Sequence, residues 1–229
     1  MFELTFSDLQ AVMLSAKVAL ASTVLALPLG FMAAYLLVFR TFRGKTLVEG
    51  VLNLPLVLPP VVVGYLLLLL LGERGPLGGL LKELGIRIVF TWWAAVIAAM
   101  VVGFPLMVRA IRIGMEDIDR QLIMASRTLG APWHDVLCSI IAPLSVRSVI
   151  AGASLMFARS LGEFGATIVL AGNIPGVTQT IPLAIYDYTN TPGGDSMALS
   201  LCLVSVSISF AVLLFNETLA RRFGRRTQR

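Results

Sequence analysis

Five stretches of this sequence are apolar for long enough to cross a lipid bilayer, and nothing else in it constrains the fold as strongly. They run over about 18–39, 51–71, 92–108, 149–170 and 197–215. A hydrocarbon core about 30 Å thick is crossed by roughly 20 helical residues. Inside lipid an open strand would leave its backbone polar groups unsatisfied, so isolated stretches of this length read as helices. With 57% hydrophobic and 14% charged residues and a mean hydropathy of +0.88, an ordinary soluble domain is excluded. The sequence predicts an all-α polytopic membrane protein: a helical bundle of about five transmembrane helices in one transmembrane domain, 1–229. Residues 6–16 could extend the first span, with Lys17 snorkelling to the interface. Pro28, Pro55, Pro59, Pro60 and Pro105 fall within the apolar stretches. The backbone groups they free must be satisfied by neighbouring helices, which implies a packed bundle.

The basic residues predict an orientation, because Lys and Arg in short loops stay on the cytoplasmic side. Arg40, Arg43 and Lys45 follow the first span. Arg109, Arg112, Arg120, Arg127 and Arg147 lie in the central segment, and Arg221, Arg222, Arg225, Arg226 and Arg229 in the tail. The other side receives only Arg74, Lys82 and Arg87, while Lys17 and Arg159 sit within apolar stretches. The N-terminus is expected outside and the C-terminus inside. This topology accounts for the pI of about 9.7, so nucleic acid need not be invoked as a partner. Glu3 and Asp8 precede the first apolar stretch and no basic n-region is present, so the first span is expected to be retained rather than cleaved. Cys138 is expected on the cytoplasmic side and Cys202 in the last span, with no disulfide between them and no metal site.

Between the third and fourth stretches lies a polar island, about 109–147, containing ASRTLGAPWHDVLCSIIAP. Ala125 and Ser126 are small residues expected on a helix. Gly130 can adopt the left-handed conformation that ends it, and Pro132 is pre-set for the first turn of the next helix. Asp135 then falls where its charge suits the helix dipole. Helix-turn-helix DNA readers share this outline, but the membrane topology argues against that reading. His134, the sole histidine, reads as a surface or interface residue. The Arg43-Gly44-Lys45-Thr46 run lacks the earlier glycine of a phosphate-binding loop, so no nucleotide site is expected in this chain. No Ser or Cys has a nearby base, and a catalytic role is not expected.

The fourth stretch carries FARSLGEFGATI, which puts Arg159 and Glu163 at membrane depth. Such charges are costly there and normally face a bundle interior or a cavity. Four residues apart, they are expected on one helical face, close enough to pair. Two roles stay open: an ion pair that fixes helix packing, or a face lining a path for an anion. Gly162 and Gly165 would permit close helix approach or bending, which would make this span a candidate gate. Farther on, residues 181–188 could form a short interfacial helix bearing Tyr186 and Tyr188. That outer segment could receive a solute-binding protein or merely pack on the bundle.

Taken in order, LPLVLPPVVVGYLLL, GFPLMVRAIR, ASRTLGA, FARSLGEFGATI, NIPG, TIPLAIY and TPGG resemble the bacterial ABC-importer permeases for molybdate, sulfate and tungstate across about 54–194. Met124, Ser126 and Ala142 depart from the family's cytoplasmic-loop pattern, which has Glu, Ala and Leu there. The resemblance implies an importer-type permease in the bacterial cytoplasmic (inner) membrane, homodimeric, and moving an oxyanion, molybdate first, into the cell. It implies two cytoplasmic ATPase subunits that carry ATP and Mg, an extracytoplasmic oxyanion-binding protein, and no cofactor on this chain. Ala125, Ser126, Arg127, Gly130, Ala131, Pro132, His134 and Asp135 would form the ATPase-coupling region, and Arg159, Gly162, Glu163 and Gly165 the pathway or gate. The alternatives are a sulfate or tungstate importer permease and, from other classes, a membrane scaffold or an ATPase-independent secondary transporter. Such a transporter usually shows an internal repeat or a coupling-ion site, and neither is visible here.

Overall fold

The computed structural model describes residues 5–224 and is all-helical over them. Glu3 and the tail residues Arg225, Arg226 and Arg229 lie outside the described residues. Helix α1 (Phe6–Phe39) opens at Thr5, which gives both its backbone N–H and its hydroxyl to Asp8 Oδ2 at 2.8 Å. The extension before Lys17 is therefore real helix, and α1 is about 50 Å long. Lys17 rests 4.5 Å above the Trp92 ring, a favourable seat for a cation beside the bilayer.

The second apolar stretch departs from the sequence expectation. In place of one span there are two helices, α2 (Lys45–Val57) and α3 (Pro60–Leu71), meeting at 116°. The cause is local. A residue before proline is driven out of the helical region, and both Leu58 and Pro59 are extended (ψ 143° and 135°) ahead of Pro60, which opens α3. Four other helices are long and apolar enough to span, or five spans result if the bent pair counts as one.

Helix α4 (Pro76–Glu83) leads to α5 (Trp92–Glu116), the centre of the bundle. Its buried Ala94, Ala95, Ala98 and Ala99 let neighbours approach closely, and its lower half buries Met107, Ile111 and Met115. Its closest partners are α1 and α8 (Ala142–Leu161). After α6 (Arg120–Thr128), a helix runs unbroken from Trp133 to Leu161: α7 (Trp133–Val136), a π-helical turn (Leu137–Ile141) and α8. The π turn has a visible reason. Pro143 has no N–H to offer Ser139 and its ring would crowd that carbonyl. The chain widens just ahead, with Ala142 N–H reaching back five residues to the Leu137 carbonyl.

The fourth span also differs from the expected 149–170. It begins at Trp133 and stops at Leu161; a separate short helix, α9 (Gly165–Leu170), follows. Helices α10 (Ile181–Thr189) and α11 (Asp195–Gly224) complete the chain. Helix α9 packs on α3 through glycines on both sides. A Cβ on Gly64 would stand 2.8 Å from the Ala166 backbone, and one on Gly165 would stand 2.8 Å from Pro60 Cβ. Gly165→Ala is expected to force these helices apart at a cost of about 1–3 kcal/mol. A lower thermal midpoint of the detergent-purified protein would show it; an unchanged midpoint would mean the bend absorbs the methyl group.

Candidate functional site

The bundle has two distinct ends. At one, Ser15 Oγ accepts from Ile181 N–H at 2.7 Å, and Asp8 Oδ1 accepts from the Tyr188 hydroxyl at 2.8 Å, tying α10 to the start of α1. The expected short helix is present, but only Tyr186 is half-exposed; Tyr188 is directed to Asp8 rather than outward. Phe90 N–H donates to the Leu170 carbonyl at the same end, joining α9 to the start of α5. Glu73 lies here too, clasped by Lys82 at 2.7 Å with Arg87 at 4.0 Å; Lys82 chiefly, and Arg87 beside it, hold this carboxyl below its usual value.

At the opposite end Arg112 bridges Glu49 at 2.9 Å and Glu116 at 2.7 Å, joining the start of α2 to the end of α5. This end carries the coupling candidates. The 109–147 island is largely helical: α5 continues to Glu116 and the next long helix starts at Trp133, so the true connection spans 117–132 and contains α6. Asp119 caps α6 by accepting from Gln121 N–H at 2.8 Å. The helix ends as the sequence implied. Gly130 takes φ +87°, its N–H donates to the Arg127 carbonyl at 3.0 Å, and Ala131 N–H reaches the Ser126 carbonyl at 3.0 Å. That pair of bonds is a Schellman stop. Pro132 stands one residue earlier than expected, as the N-cap of α7, and Asp135 lies in the first turn. His134 is well exposed, with Nε2 3.4 Å from Asp135 Oδ1.

The arrangement presents a surface. Ala125, Arg127 and Gly130 are exposed, Ser126 is half-buried, and no atom lies within 4 Å of a Cβ built on Gly130. Leu122, Met124 and Leu129 are also exposed, Leu129 by 88%. An exposed apolar group of this kind beside Arg120 and Arg127 is a candidate interaction surface. Reading the sequence for small residues gave Leu122, Met124 and Leu129 no part in the surface; the signal was the apolar Leu122, Met124 and C-cap Leu129 beside polar neighbours, with Ile123 turned inward. It also missed Trp133. The indole lies with the Arg40 guanidinium 5.6 Å and the Arg127 guanidinium 5.2 Å from its centre, and packs on Tyr35 at 6.0 Å.

The pair in the fourth stretch forms, by a different route from the one expected. Arg159 Nη1 lies 2.8 Å from Glu163 Oε2, yet the two do not share a continuous helix. Helix α8 ends at Leu161, and Glu163 Oε1 accepts from Ala166 N–H at 2.8 Å, capping α9. The carboxylate thus competes with the α-helical ladder for its own neighbourhood. Its contact with Arg159 lies outside hydrogen-bond alignment and acts by charge. Glu163 is 2% exposed and the Arg159 side chain 31%. Gly162 has ordinary φ and open space around it, so it marks the break without any packing requirement; Gly165 is the glycine that packing demands.

Two solved structures share this architecture. A bacterial ABC transporter that imports the acidic polysaccharide alginate aligns over 96% of this chain and 80% of its own, with a TM-score of 0.75 at 15% identity. The MetNI methionine ABC transporter in an inward-facing form aligns over 95% and 94%, with a TM-score of 0.69 at 14% identity. The fold is that of ABC-importer permeases. Residues 26–225 match the family described as binding-protein-dependent transport system inner membrane component. The molybdenum transport system permease protein ModB of Escherichia coli (strain K12) is 52% identical over 95% of this chain and 96% of its own length. ModB of Haemophilus influenzae is 47% identical over 96% of each. In Bacillus subtilis (strain 168), the putative molybdenum transport system permease protein YvgM is 42% identical over 89% and 90%. The chain belongs to the molybdenum transport system permease family, and it is a multi-pass protein of the cytoplasmic membrane.

Proposed function

We propose that this chain forms the channel of an ATP-driven importer that carries molybdate into the cytoplasm. The observation that carries the reading is 52% identity along nearly the whole of both chains to a permease named for molybdenum transport. Two copies would enclose the path. Two ATPase subunits, holding ATP and Mg, would dock on the α6 face through Ala125, Ser126, Arg127, Gly130, Ala131, Pro132, His134 and Asp135. An extracytoplasmic oxyanion-binding protein would deliver its load at the end formed by α4 and α10. This chain's part is to hold two packed arrangements that open to opposite sides, each favoured by one nucleotide state of the ATPases. Vesicles reconstituted with the three components should take up radiolabelled molybdate only with ATP and loaded binding protein. Uptake of sulfate in preference to molybdate would overturn the assignment of substrate, and uptake without ATP would overturn the importer class.

The orientation follows from the basic end bearing Arg40, Arg112 and Arg127, which positive-inside bias places in the cytoplasm. In a background with Cys138→Ser and Cys202→Ser, cysteines replacing Arg43 or Asp119 should resist an impermeant thiol reagent in spheroplasts, and one replacing Glu83 should react. Labelling at Asp119 from outside would reverse the assignment.

A further inference from the structure

We infer that Trp133 is a positioning residue for transport, the joint through which movement of α6 reaches α1; this rests on the proposed importer reading. Helix α6 has few attachments of its own. Ile123 is its buried anchor, and α7 is the element it packs against most. A push on the outward face of Leu122, Met124 and Leu129 therefore travels through Ile123 and the turn 129–132, and Trp133 is the first residue beyond that turn.

Three segments meet on its ring: the C-cap of α1 through Arg40, the last turn of α6 through Arg127, and α7 itself. Tyr35, on the last turns of α1, meets the indole in a tilted arrangement and in turn Phe39 at 5.5 Å. Among the described residues neither Arg40 nor Arg127 enters an ion pair, and the indole is the ring that both cations share. Buried Trp133 Nε1 and Tyr35 Oη lack hydrogen-bond partners. No directional bond fixes the ring, while tilted aromatic contact and cation–π attraction tolerate sliding. The contact can pivot without parting. From there α1 packs along both α5 and α8, so a shift of its end is passed to the bundle.

The test compares Trp133→Ala and Trp133→Phe in vesicles holding the permease, ATPase and binding protein, with molybdate uptake and ATP hydrolysis read together. Trp133→Ala should lower molybdate moved per ATP at least fivefold while ATPase co-purification stays within twofold of wild type; Trp133→Phe should keep at least half the ratio. Hydrogen exchange of the purified permease supplies a readout independent of activity: amides of 120–132 should exchange about tenfold faster in Trp133→Ala and near the wild-type rate in Trp133→Phe. A normal ratio or normal exchange in Trp133→Ala overturns the inference, as does a Phe variant as defective as Ala. If Trp133→Ala fails to reach the membrane, Arg40→Gln decides, since it leaves both the indole and the α6 docking face in place. A ratio at least threefold lower supports the joint, and an unchanged ratio overturns it. Failure of wild-type vesicles to import molybdate would instead count against the importer reading, leaving the exchange result to judge Trp133.

Discussion

Replacing Glu163 with alanine is expected to reduce the amount of assembled permease severalfold and to cut uptake by at least tenfold. The substitution removes two supports at once, the cap on Ala166 N–H and the partner of Arg159. Breaking a buried pair by deleting one member costs about 3–5 kcal/mol. Because Arg159 is one-third exposed, the loss here should sit near the lower end of that range, with about 1 kcal/mol more for the cap. Glu163→Gln separates the two supports, since its amide oxygen can still accept from Ala166. If the role is packing, Arg159→Ala with Glu163→Ala should assemble better than Glu163→Ala alone and regain much of the uptake. If Arg159 attracts the travelling anion, the assembled double variant should transport poorly with normal ATPase docking. Full uptake kinetics in it would leave the pair as a structural clasp that ends one helix and begins the next.

A comparable loss is expected from Gly130→Val, for a reason confined to the backbone. The space around Gly130 is open, so no side-chain clash arises inside the subunit. The φ of +87° is the obstacle: a β-branched residue held there costs on the order of 1–3 kcal/mol. The Schellman stop should open, and the exposed turn with it. Uptake should fall at least tenfold with protein still present in the membrane, and ATPase co-purification should weaken. Gly130→Asn, which tolerates the left-handed region, should retain more than half of the uptake. Normal uptake and normal ATPase stoichiometry in Gly130→Val would count against this turn as the coupling surface.

What the sequence revealed tracks how local each signal is. The Gly130 stop, the Asp135 position and the helix expected at 181–188 depend on a few adjacent residues, and each is present, the helix one residue longer. The hydrophobic stretches located the membrane elements, but hydropathy cannot tell a straight helix from a bent one. Pro59 and Pro60 turned one expected span into two helices, and Glu163 divided another by capping its own successor. Lengths were underestimated where polar residues continue a helix past the apolar stretch, as on the way to Glu116 and ahead of Val149, whereas the extension from Phe6 was expected. The meeting of Arg40 with Arg127 and Trp133 joins the end of α1 to a segment far along the chain, so no spacing rule could announce it.

The π-helical turn ahead of Pro143 also sets an angular phase. Each residue of an α-helix advances about 100° around its axis, so the residue accommodated in that turn fixes the azimuth at which everything before Leu137 leaves the bundle. A one-residue deletion within 137–141 would preserve composition, hydropathy and span length almost unchanged. It would nevertheless swing Trp133 away from Tyr35 and aim the α6 face in another direction. In this part of the chain, residue count works as an alignment mark, and insertions or deletions here should be tolerated far less well than substitutions at its exposed Cys138 and Ser139.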